Sequence, residues 1–333
     1  MTDTVKKIDI IIPAYNAWDT LHRCLSSVSM QTSKDLIQVT IINDCDPKGS
    51  YQNIIDHFVN EIDIQELILP ENKGPGYARQ YGIDHTNGKY IMFLDADDTL
   101  INSMCVRTLL NYIEEEKASV LYSYFFREDE NGSLILYNRP NVFLHGKMYS
   151  RSFLSKYQIR FNELRLYEDD YFQSIVDFHV QQLNIPVAHF EEAVMIYHHS
   201  QTGLTQSIPQ KEYSRVMLPA WIDNSAELIV ALNKNNLFDV HRFEMATIVE
   251  LFLDYNYIKA TDVEFLPTIT QHIRAFFQNT QLQNQLSELD RHLCEQIYND
   301  MVFNNDLTLI QGHGVRDFVL PVITFEEFVQ QFV

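Results

Sequence analysis

The sequence predicts an α/β protein: a mostly parallel sheet flanked by helices, followed by a mainly helical C-terminal domain. Three observations predict it. From Ile8 to Asp98, short apolar runs alternate with amphipathic stretches, the pattern of strand–helix–strand units with right-handed crossovers. Each apolar run ends in polar or acidic residues. From about Pro209 onward, apolar residues recur at helical spacing instead, as with Leu228, Ala231 and Leu232, then Met245, Ile248 and Phe252.

The elements follow in order. "IDIIIPAYN" reads as the first strand, and "WDTLHRCLSSVSMQT" as a helix with Leu21, Cys24, Leu25 and Val28 on one face and Asp19 as its N-cap. "LIQVTIINDCD" is the second strand, "YQNIIDHFVNEI" a helix, "IQELILP" the third strand. "GPGYARQYGIDHT" opens with glycines and becomes a helix, and "YIMFLDADD" is the fourth strand. "SVLYSYFFRE" and "SLILYN" flank a "DENGS" turn and predict a hairpin. "HGKMYSRSFLSKY" reads as a loop leading into a helix, "EDDYFQSIVDFHVQQL" as a helix with acids in its first turn, and "VAHFEEAVMIYHHS" as a strand.

Composition narrows the function. The chain has 333 residues, 46% of them hydrophobic, enough for a sizeable core and a second domain. Its formal net charge is −20, so no broad nucleic-acid surface is expected. Cys24, Cys45, Cys105 and Cys294 stand far apart with no CxxC, which argues against zinc and fits a reducing compartment. The N-terminal apolar run is too short for a signal peptide or a membrane span. These features predict a cytoplasmic protein, with room for peripheral attachment at the inner membrane face.

In a parallel sheet, ligands bind beyond the carboxyl ends of the strands. Tyr15 and Asn16, then Asn43, Asp44 and Asp46, then Glu71 and Asn72, then Asp95, Asp97 and Asp98 all fall at such ends and should gather on one rim. An Asp-x-Asp there supplies the oxygen ligands that suit Mg²⁺ or Mn²⁺ beside a phosphate. Alone, it is as often a solvated turn.

Taken in order, "IDIIIPAYNAWDTLHRCLSSVSMQT", "IINDCD", "NKGPGYARQYGI", "YIMFLDADD" and "YEDDYF" resemble the motifs of family 2 glycosyltransferases, with bacterial polysaccharide and teichoic-acid enzymes nearest in pattern. The resemblance covers residues 6 to 205. It implies a GT-A, Rossmann-like domain over residues 1–208 and a helical domain over 209–333 that binds acceptor or joins copies of the chain. It also implies inverting transfer of a sugar from a UDP-sugar to a hydroxyl of a glycan or lipid-linked acceptor, with Mn²⁺ or Mg²⁺. Pro13, Ala14, Tyr15 and Asn16 then match the segment at the nucleobase, and Asp44 the acid that binds uracil or ribose. Asn43, Cys45 and Asp46 depart from the family's usual "VDDGS". Asn72, Gly74 and Arg79 match residues near the phosphates; Asp95, with Ala96, contacts ribose or sugar; Asp97 binds the metal. Asp98 is expected to cap the following helix.

Asp169 matches the catalytic base, Glu168 its structural neighbour, and Asp170 is the rival base. A carboxylate at a helix start is expected to stay ionised. His199 is the candidate late metal ligand and His198 its rival, since strand alternation lets one of them face the site. His145 and Lys147 match a segment near the acceptor, where Lys147 could meet a phosphate. Competing readings are a glycoside hydrolase, a non-catalytic binding module on the same fold, and a phage-type transferase acting on modified DNA bases.

Overall fold

The computed structural model describes residues 6–138, 143–200, 208–209, 212–235, 240–282, 286–303 and 321–332. The chain divides into two compact units, residues 1–207 and 208–333. The end of the "YHHSQTGLTQS" segment, residues 201–207, lies outside the described residues.

In the first unit, β1 (Ile8–Ala14), β2 (Ile37–Asn43), β3 (Asp63–Ile68) and β4 (Tyr90–Phe93) lie parallel in the order β3-β2-β1-β4. Ile8, Ile10, Ile11 and Ile12 are all fully buried, as expected of a strand covered on both faces. The crossovers carry α1 (Leu21–Ser29), α2 (Gln52–Ile55) and α3 (Pro75–Asp84). Leu21, Cys24, Leu25 and Val28 of α1 pack into the core, as their spacing predicts. Its N-cap is Thr20 rather than Asp19, with no side-chain cap bond. The helix expected over "YQNIIDHFVNEI" shrinks to α2. Beyond Ile55 helical i→i+4 bonds are interrupted by i→i+3 bonds, among them Phe58 to Ile55 and Glu61 to Phe58.

After β4 come β5 (Thr99–Leu100), α4 (Cys105–Glu115), β6 (Val120–Glu128), β7 (Leu134–Tyr137), β8 (Lys147–Ser150), α5 (Arg151–Lys156), α6 (Glu168–Leu183) and β9 (Val187–Tyr197). The sheet runs β3-β2-β1-β4-β8-β6-β9-β5, with β7 hairpinned onto β6. The alternating half is parallel. Beyond β4 the sheet is mixed, because β8 pairs antiparallel with both β4 and β6. The stretch expected as a loop, "HGKMYS", therefore contains a central strand, buried at all four positions of β8. It satisfies the outer edge of β4, which would otherwise present unpaired backbone groups to the core.

The second unit is helical: α7 (Tyr213–Lys234), α8 (Val240–Thr261), α9 (Leu266–Thr280), α10 (Glu288–Phe303) and α11 (Phe325–Phe332). Ile222, Leu228, Ile248, Phe252, Ile273, Phe277 and Phe328 form its buried interior. Among the described residues, no helix is long and apolar enough to cross a membrane.

Candidate active site

The carboxyl ends of β1, β2 and β4, the start of α3 and the start of α6 supply the polar groups. Pro13 and Ala14 close β1; Tyr15 is exposed and Asn16 takes a left-handed φ of 53°. That turn is pinned by Asp46, whose carboxylate accepts from the Asn16 backbone N–H at 2.6 Å, the Trp18 indole at 3.0 Å, the Lys48 N–H at 2.8 Å and the Tyr51 hydroxyl at 2.5 Å. These bonds hold its carboxyl below the ordinary range although burial opposes them. The role of Asp46 had no sequence signal beyond its departure from the family pattern, because its partners are spread over Asn16 to Tyr51.

Asp44, at the end of β2, points its two oxygens at the backbone N–H groups of Lys73 and Gly74, each at 2.8 Å. The Asn72 side chain donates to the Asp44 carbonyl at 3.1 Å. Asp44 thus fixes the turn that starts α3, and burial raises its carboxyl pKa. Gly74 sits at φ 91°, a conformation that favours glycine.

Arg79 lies on the buried face of α3. One guanidinium nitrogen donates to Glu168 and the other to Asp95, both at 2.7 Å. The fork expected near phosphate is occupied by two carboxylates. Burial would weaken the Arg79 charge, yet Asp95 and Glu168 raise its pKa above the ordinary value. In turn Arg79 overcomes the burial of Asp95 and lowers that carboxyl. Gly76, one turn before Arg79, makes the approach possible. A Cβ there would lie 2.7 Å from the Glu168 Cβ, so α3 and α6 meet this closely only through glycine. The glycine is visible in the sequence, whereas its partner Glu168 lies far along the chain.

Among the described residues, no cation forms an ion pair with the Asp97 carboxylate. Burial, then the charges of Asp98 and Asp95, push it up to about 6, and a hydrogen bond from Ser200 only partly offsets them. Arg23 donates to the Asp97 carbonyl at 2.6 Å and not to its side chain. Asp98 does not cap a helix, since β5 follows it and α4 begins only at Cys105. It is fully buried, accepting from the His198 N–H at 3.0 Å and facing the His145 ring at 3.1 Å. Asp95, Asp98 and His145 bring one ligand atom each within 4.8 Å. His198 lies 2.9 Å from the Thr99 hydroxyl and 2.8 Å from Glu128, while His199 is exposed.

Glu168, Asp169 and Asp170 open α6 after Tyr167, which adopts φ 63° and offers no side-chain cap. The expected ionisation from the helix terminus is outweighed: burial raises Asp169, and burial plus Asp169 raises Glu168 to about 7, a titration belonging to the pair. Asp169 accepts from the Asp170 N–H at 2.9 Å. Asp170 is buried and meets the Ser174 hydroxyl at 3.4 Å. A cavity of about 20 Å³ is lined by Arg79, Phe93, Asp95, Leu144, His145 and Asp169. The structure therefore brings Asp95, Arg79, His145, Glu168 and Asp169 together. Lys147 is enclosed: only 2% exposed, it has no open face toward solvent. Burial pulls its ammonium down to about 8 against the opposing charges of Asp177 and Asp169.

Several known proteins resemble this chain. A glycosyltransferase of Streptococcus pneumoniae, GlyA, is 31% identical over 43% of this chain and 20% of its own length. A poly(ribitol-phosphate) beta-N-acetylglucosaminyltransferase of Staphylococcus aureus, TarP, is 26% identical over 47% of this chain and 53% of its own length. The chain spans a third or less of the length of some curated relatives it matches, among them GlyA at 20% and Escherichia coli YibD at 33%. The crystal structure of S. aureus TarS 1-349 in complex with UDP-GlcNAc superposes with a TM-score of 0.66 at 18% identity, covering 88% of this chain and 89% of that one. At that identity it shows a shared GT-A fold. Residues 9–176, just over half of the sequence, match the family described as Glycosyl transferase family 2. The chain belongs to that family.

Proposed function

We propose that the protein is an inverting glycosyltransferase that moves a sugar from a UDP-sugar to a hydroxyl of a bacterial surface glycan or lipid-linked precursor. The observation that carries this reading is Asp169 lining one small cavity with Asp95 and Arg79, with Asp97 next along the same strand exit. TarP's name and the UDP-GlcNAc held by TarS support the donor and the class of acceptor.

The reading assigns each group a task. Asp169 accepts the acceptor's proton as the oxygen attacks; a raised pKa makes it a stronger base than an exposed aspartate. Arg79 and Glu168 fix the Asp95 carboxylate toward ribose or sugar. The Asp44 bonds shape the Asn72–Gly74 turn beside the nucleotide. Tyr15 offers an exposed ring to the base. Asp97, raised by burial and then by like charges, fits a divalent cation, whereas Asp98 is enclosed with His145. His199, exposed just past the end of β9, the strand that pairs with β5, is the second candidate ligand. Bound Mn²⁺ or Mg²⁺ would offset charge growing on the departing diphosphate. The helical unit binds acceptor or a second copy.

Calorimetry with UDP, GDP, CDP and dTDP, each with and without Mn²⁺, tests the donor. Tightest Mn²⁺-dependent binding of UDP is expected, and tighter binding of another nucleotide overturns the choice.

A further inference from the structure

Lys147 is a buried cation whose expense needs a reason. An ammonium enclosed by protein is tolerated only with close anions and well-made hydrogen bonds. Its ammonium lies 5.6 Å from the Tyr122 ring centroid. The Tyr122 hydroxyl donates to Asp177 at 2.6 Å. Gln173 donates to the same Asp177 oxygen at 2.7 Å and accepts from the Tyr149 hydroxyl at 2.7 Å. Asp169, Gln173 and Asp177 are spaced i, i+4, i+8, so they form one stripe on α6. Lys147 and Tyr149 lie on β8, and Tyr122 on β6, the strand paired with it, with Tyr122 opposite Lys147 in the register. The stripe and the two strands therefore share one polar network, with Asp169 at the end where α6 begins.

We infer that Lys147 is a positioning residue for Asp169: through Asp177, Gln173 and the hydroxyls of Tyr122 and Tyr149 it sets the rotation of α6 on the sheet, and so the direction of the Asp169 carboxylate. The inference rests on Asp169 being the base. It gives Lys147 no contact with donor or acceptor. Among the described residues, the charges of Asp177 and Asp169 act on Lys147.

Steady-state kinetics of the full chain test it, with Lys147→Met, Lys147→Arg, Tyr122→Phe and Asp169→Asn side by side. Lys147→Met should lower kcat on the order of 10²-fold, the effect of a misplaced catalytic group. Donor KM should stay within about twofold, because no donor contact is lost. Lys147→Arg should recover part of the loss, since charge is restored. Tyr122→Phe should lower kcat less and in the same direction. A folded Lys147→Met with wild-type kcat overturns the inference, as does a raised donor KM at unchanged kcat, which would mean a phosphate contact. If Lys147→Met does not fold, Tyr122→Phe decides, and wild-type kcat there overturns it. Failure of the underlying reading looks different: Asp169→Asn would itself turn over normally.

Discussion

Replacing Arg79 by methionine keeps a long side chain and removes the charge joining Asp95 to Glu168. Both contacts are 2.7 Å. A hydrogen bond to a charged group contributes about 1.5–3 kcal/mol, and breaking a buried ion pair costs about 3–5 kcal/mol. Glu168 is enclosed, whereas the Asp95 side chain is 29% exposed, so water screens part of its share. The expected loss is therefore about 3–5 kcal/mol, a large part of a typical total of about 5–15 kcal/mol. Its pH dependence has a definite sign. Burial and Asp169 raise Glu168 to about 7 in a titration shared with Asp169, so the negative charge facing Arg79, and with it the attraction, grows as pH rises through that value. Asp95 is lowered, so its contribution is present above the ordinary aspartate value and is lost only as pH falls through the folded one. Between about pH 5.5 and about pH 8 the Asp95 share is constant and the Glu168 share increases. Urea unfolding of wild type and Arg79→Met at both pH values measures this. A loss below about 1 kcal/mol, the scale of an exposed pair, would refute the reasoning, as would a larger loss at the lower pH.

Asp97→Asn should abolish the Mn²⁺ dependence of UDP binding seen by calorimetry; unchanged dependence would remove Asp97 from the metal site. Gly76→Ala forces a methyl group against Glu168, where the Cβ would lie 2.7 Å away. Overpacking of that kind costs about 1–3 kcal/mol, so thermal unfolding should shift downward and transfer should fall with it.

The parallel half was legible because β1, β2 and β4 are mainly apolar runs, and β1, β2 and β3 are each followed by a helix. The strand β8 was not. "HGKMYS" places a glycine and a lysine where a central strand is expected to be apolar, and Lys147 is tolerated there through Asp177, thirty residues further on. The gathering of Asp95 with Asp169 followed from the motifs. The clamp between them did not, since Arg79 reads equally as a phosphate ligand until Glu168, 89 residues away, is seen to occupy its fork. Likewise Asp98 looks like a cap in sequence, and only the return of β9 brings the His198 N–H to it.

Everything proposed for the site turns on Asp169 being the base of a transfer reaction. Asp169→Asn removes the charge and nearly preserves the shape, so UDP affinity should stay nearly constant. Loss of a general base costs on the order of 10²–10⁴ in rate. Turnover of Asp169→Asn and Asp170→Asn at saturating donor and acceptor is the direct measurement. Asp169→Asn is expected to be almost inactive, while Asp170→Asn, altered at a buried side chain near Ser174, keeps most of its turnover. Normal turnover by Asp169→Asn would contradict that assignment.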